Sequence, residues 1–160
     1  MRLFADSSAL AKRYLREPGR DVVLARCAAA DEVLISFLAP IEVVSALNRL
    51  RRAARLTDEQ YEELKKKLTA DAQNATVVLP GPSVEAGAFR CLESAPLRAS
   101  DAVHVASALE CRPDLFLTGD RRQHEAAKGM GLKVEFVGEG RRKGAGAAAH
   151  AGDSQEDPDR

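Results

Sequence analysis

RLFADSSALAK, residues 2–12, decides the fold, because DLFLTGDRRQHEAA, residues 114–127, repeats its plan much later in the chain. In each, a short apolar run, Leu3-Phe4-Ala5 or Leu115-Phe116-Leu117, stops near an aspartate and passes into helical composition. A brief unbroken apolar run is how a strand buried on both faces reads. An aspartate at its end then serves as the cap of the helix that follows. Strand, aspartate, helix, twice over, is the signature of parallel β-α units.

The rest of the chain fits that plan. EVLIS (32–36), ATVVL (75–79) and KVEFV (133–137) read as three further strands. Helical composition covers 7–16, 20–30 after the break at Pro18-Gly19, 83–93, 100–110 and 121–129. Pro40 is at home in the first turn of a helix over 40–55, and Thr57 with Gln60 is a capping-box pair opening one over 57–71. Five strands separated mostly by helices imply an α/β fold in three layers. From residue 138 the composition falls to GEGRRKGAGAAAHAGDSQEDPDR, with almost nothing large to bury, so 138–160 is expected as a disordered tail beyond a domain of 1–137.

Bulk properties narrow the function. Twenty-four basic and 24 acidic residues give zero formal charge, so nucleic-acid binding would need a local patch. Cys27, Cys91 and Cys111 lie far apart with no CxxC pair, which excludes a zinc ribbon and fits reduced thiols. The lack of a signal-like start or an 18-residue apolar run points to a soluble, cytoplasmic protein without membrane contact.

Four acids carry the chemistry. Asp6 ends the first strand and Asp120 follows the fourth. Glu42 (in PIEVVSAL) and Asp101 (in LRASDAVHVASAL) sit beside apolar helical segments. Singly, each has an ordinary explanation as an N-cap or as a charge offsetting a helix dipole. Together they place carboxylates where open parallel sheets bind ligands, beyond the carboxyl ends of the strands. Neighbouring strands would set Asp6 and Asp120 side by side, and a cation relieves such a pair. Oxygen donors with no His or Cys spacing suit Mg²⁺ or Mn²⁺.

LFADSSALAK, PIEVVSAL, LRASDAVHVASAL and LFLTGDRRQHEAAKGMGLKV, in that order, resemble the motifs of PIN-domain ribonucleases, most closely the VapC-type toxins of toxin–antitoxin pairs. The resemblance spans residues 1–137. It implies a PIN-like α/β fold with a five-stranded, mostly parallel sheet of order 3-2-1-4-5. It also implies catalytic and metal-binding roles for Asp6, Glu42, Asp101 and Asp120, with Thr118 supporting them. The activity implied is Mg²⁺-dependent RNA hydrolysis to a 5′-phosphate and a 3′-hydroxyl, and the partners are RNA, a cognate antitoxin protein and a second copy in a homodimer.

Arg49, Arg52, Arg98 and Arg121 are candidates for contacting RNA, the first two within the run NRLRRAAR at 48–55. That run also reads as an ordinary solvated helix face. His104, three residues after Asp101, shares its helical face and could touch the site or simply pack. Phosphotransferases of the haloacid-dehalogenase type want an acid where Ser8 stands, and receiver domains want paired acids near the first strand. The remaining alternatives are a PIN-like scaffold that binds RNA or protein without cutting and a DNA-directed nuclease of related fold, for which the chain offers no extra helical module to grip a duplex.

Overall fold

The computed structural model describes residues 1–138, so all but the first residue of the expected tail lies outside the described residues. Five strands form one sheet: β1 (Arg2–Ala5), β2 (Glu32–Ser36), β3 (Thr76–Val78), β4 (Leu115–Thr118) and β5 (Val134–Phe136). Their order is β3-β2-β1-β4-β5 and every pairing is parallel. The expected order holds, and the sheet is wholly parallel.

Among the described residues, seven helices cover its faces: α1 (Ser7–Ala11), α2 (Arg20–Ala28), α3 (Leu38–Arg52), α4 (Asp58–Gln73), α5 (Pro82–Ser94), α6 (Ala99–Cys111) and α7 (Arg121–Gly129). Phe4, Leu34 and Phe116 point to one face, where Val84, Cys91, Val105 and Ala127 pack on them from α5, α6 and α7. Phe4 and Phe116 stack with ring centroids 5.5 Å apart. Truncating either to alanine should cost about 3–5 kcal/mol. On the opposite face, Val23 of α2 packs against Leu3, Ala5 and Leu117, and α1, α3 and α4 cover Ile35 through Leu10, Val43, Leu47 and Leu68. Cys27, Cys91 and Cys111 are free thiols. No helix among the described residues is long and apolar enough to cross a membrane.

Most helix boundaries shift from expectation by one to five residues, and two of the shifts have local reasons. The helix expected over 7–16 ends at Ala11, and Arg13 and Tyr14 then donate three residues back, to Leu10 and Ala11, tightening the chain into turns. The helix expected from Pro40 begins at Leu38. Pro40 falls in the first turn, where a missing N–H costs no hydrogen bond.

Candidate active site

Parallel strands deliver their carboxyl ends to one edge, and the candidate site lies there. The β1–β4 register pairs Ala5 with Leu117, so Thr118 comes opposite Asp6. The backbone N–H of Asp6 bonds to the Leu117 carbonyl at 3.1 Å, and the Thr118 hydroxyl donates to Asp6 Oδ2 at 2.7 Å. Asp120 follows Thr118 across Gly119. Thr118 also accepts from the backbone of Asp120 at 3.0 Å, so one hydroxyl links the two acids.

Asp6 is fully buried. It caps α1 by accepting from the Ala9 N–H at 2.8 Å, and the Ser8 hydroxyl adds a further bond at 2.8 Å. Burial pushes its carboxyl above the ordinary range, while His104 and the Thr118, Ala9 and Ser8 donors pull the other way. Asp120 caps α7, accepting from Arg122 and Gln123 N–H groups at 2.7 and 3.2 Å. Asp101, in the first turn of α6, accepts from the Arg98 N–H at 3.2 Å. Glu42 lies one turn inside α3 and accepts from the Ser7 hydroxyl and from His104 Nε2, the latter at 2.7 Å. These bonds, with His104 first, hold its carboxyl well below the ordinary range, at about 2.

The helix-capping account is thus correct for Asp6 and Asp120, while Asp101 binds the cap N–H from the first turn of α6 and Glu42 caps nothing; capping does not compete with convergence. Glu42, Asp101 and Asp120 line one cavity of about 530 Å³, together with Ser8, Gly119 and Gln123. Asp6 lies behind its wall, reached through Ser8. Three segments distant in the chain thus bring acids to the lining of one cavity, and the fourth acid bonds to Ser8 on its wall.

Gln123 escaped the sequence reading. It is buried, its amide nitrogen meets Asp101 Oδ1 at 3.2 Å, and its own N–H meets Asp120. One residue thus spans two acids. Ser7 and Ser8 were also passed over, although hydroxyls directly after Asp6 were the available signal. His104 both packs and touches the site: it is fully buried and bonded to Glu42.

Of the arginines, Arg49 and Arg98 line the cavity. Arg52 is exposed at the end of α3, and Arg121 lies over the Phe136 ring at 4.5 Å.

The donor chemistry fits a hard divalent cation, since the acids supply oxygen only. Among the described residues, no three His, Cys, Asp or Glu side chains are gathered closely enough to enclose an ion. Loading one would draw carboxylates away from the hydroxyl and amide donors they now hold.

The PIN-domain family profile matches residues 3–129, most of the chain and all four acids. The chain belongs to the PIN-domain family. Solved structures share the fold. They include FitAcB from Neisseria gonorrhoeae (16% identity over 82% of this PIN domain's chain and 95% of that one, TM-score 0.61). VapC20 from Mycobacterium tuberculosis, described as a sarcin-ricin loop cleaving toxin, matches at 16% identity over 81% and 95%, TM-score 0.60. PAE2754 from Pyrobaculum aerophilum matches at 19% identity over 84% and 83%, TM-score 0.63. No curated protein matches this PIN domain by sequence.

Proposed function

We propose that this PIN domain is a Mg²⁺-dependent endoribonuclease and the toxin of a type II toxin–antitoxin pair. The observation that carries the reading is the meeting of Glu42, Asp101 and Asp120 around one cavity with Asp6 buried behind it. Asp6 and Asp101, completed by Glu42 and Asp120, would hold Mg²⁺ or Mn²⁺. Such an ion supplies Lewis acidity toward the scissile phosphate and acidifies bound water.

The chain's own groups do the rest. Asp120 and Glu42, each fixed by at least two donors, orient the attacking water. Arg98 and Arg49 at the cavity wall take flanking phosphates, offsetting the repulsion that carboxylates exert on RNA. Water adds to phosphorus and the bond to O3′ breaks. The proton lost by the water balances the one gained by O3′, giving a 5′-phosphate and a 3′-hydroxyl.

An antitoxin partner is supported by neighbours solved with theirs: a toxin-antitoxin complex from Klebsiella pneumoniae and VapBC2 from Rickettsia felis bound to a promoter DNA fragment. An arginine of such a partner entering the cavity would pair with its carboxylates and exclude metal and RNA together. Phe89 and Leu92, exposed on α5 beside Pro80 and Pro82, offer an apolar face suited to a second copy.

The test is incubation with total cellular RNA and Mg²⁺, with mapping of the cut ends. Cleavage leaving 5′-phosphates, lost in Asp101→Ala, supports the nuclease. No cleavage and no rise in melting temperature with Mg²⁺ would support a scaffold that binds without cutting.

A further inference from the structure

Glu17, Glu42, Asp101 and Asp120 put four carboxylates around this cavity, which repel the polyanion that a nuclease must hold, so positive charge is needed inside as well as at the rim. Lys12, Arg49 and Arg98 are the cations lining this cavity. Arg49 and Arg98 are exposed. Lys12 differs: its side chain is only 10% exposed, although lysines are seldom buried unless paired.

Its pairing is poor. An ammonium has three donors. Among the described residues, Lys12 Nζ has one hydrogen-bond partner, Glu17 Oε2, at 3.4 Å. The Glu17 side chain is 46% exposed, and a lysine at the surface could meet it without being buried.

The surroundings hold the ammonium in place. Lys12 caps the C-terminal end of α1, whose other end is capped by Asp6. Its stem lies against Gly119, between Thr118 and Asp120. A Cβ at position 119 would stand 3.1 Å from Lys12 Cε and 3.2 Å from Ser8 Oγ, which itself bonds Asp6 and the Gly119 N–H. The missing side chain at 119 is what lets the stem run beside Ser8, along the wall that Asp101 and Asp120 also line.

We infer that Lys12 is a catalytic residue whose ammonium takes a non-bridging oxygen of the scissile phosphodiester, an inference that rests on the nuclease function proposed above. The charge on that oxygen grows as water adds and the bond to O3′ breaks, and a buried, fixed cation stabilises it best at that point. Lys12 keeps its proton throughout. Glu17 is the partner it leaves when RNA arrives.

The experiment compares the parent with Lys12→Met, Lys12→Arg and Gly119→Ala, using cleavage of a short RNA in Mg²⁺, Mn²⁺ calorimetry and melting temperature. Lys12→Met should lower kcat roughly 100-fold while Mn²⁺ affinity stays level or rises, since a cation has left an acidic cavity. Lys12→Arg should recover part of the rate. Gly119→Ala, which crowds the stem, should lower kcat with the lysine still present. Lys12→Met cleaving within about twofold of the parent would overturn the inference, as would a loss of rate matched by a loss of Mn²⁺ affinity and melting temperature. If Lys12→Met does not fold, a parental kcat in Gly119→Ala overturns it. An inactive parent would remove the nuclease reading itself, and the role of Lys12 with it.

Discussion

His104 Nε2 and Glu42 Oε2 meet at 2.7 Å across 62 positions of sequence. The imidazole is fully buried, and its other nitrogen, Nδ1, has no hydrogen-bond partner among the described residues, so its one hydrogen bond there is with this carboxylate. The pair ties α3 to α6 at the edge of the cavity and fixes where Glu42 points. Replacing His104 by leucine should leave Glu42 with its serine contacts, Ser7 and Ser100, and slow RNA cleavage. Glutamine, which keeps an N–H donor, should restore part of the rate. Equal rates for the two variants would deny His104 a positioning role.

Glu42 gives a pH prediction of definite sign. Its folded-state pKa, about 2, lies below the ordinary 4.5. The stability it contributes is complete above about pH 4.5 and is lost as pH falls toward 2. The stability gap between parent and Glu42→Gln should be widest near neutrality and close in acid. A gap that stays constant across denaturant titrations at pH 2, 4 and 7 would contradict this.

Asp6 should behave in the opposite way. Burial raises its pKa, so its ionisation in the folded state costs stability as pH rises above the ordinary carboxylate range. Asp6→Asn should melt at or above the parent at pH 7, with the advantage fading at acidic pH, and should no longer cleave RNA. A lower melting temperature at pH 7 would show that the carboxylate's charge supports the fold.

Gln123 spans Asp101 and Asp120, so its effect should reach the metal indirectly. Gln123→Leu should weaken Mn²⁺ binding by roughly 10–100-fold, the usual cost of losing a group that orients ligands. Unchanged affinity by calorimetry would make Gln123 a packing residue.

The sheet was legible because its strands are short apolar runs punctuated by aspartate, proline or glycine, and burial on both faces writes that pattern directly. The acids were legible as misfits among apolar neighbours. Their companions were not. Lys12 stands four residues after Ser8, at the C-cap of α1, and a lone lysine there carries no signal until Gly119 of the loop after β4 lies against its stem. Gln123 looks like any polar residue of a polar helix until α7 packs beside α6. Thr118 came through the family resemblance, whereas its place between Asp6 and Asp120 depends on a register that composition does not reveal.

Arg49 and Arg98 predict the salt response of RNA binding. Each phosphate contact removed from a single strand should flatten the slope of log affinity against log salt by about 0.7. Replacing both by glutamine should therefore reduce it by roughly 1.4, as read by fluorescence anisotropy in Ca²⁺. An unchanged slope would place the RNA path elsewhere.

If the four acids share a divalent ion, anomalous diffraction from crystals soaked in Mn²⁺ will reveal it. A peak should stand within bonding distance of Asp101 and at least one of Asp6, Glu42 and Asp120, and should be absent in Asp101→Ala. A soaked crystal with no peak in the cavity, or with Mn²⁺ bound only elsewhere, would contradict it.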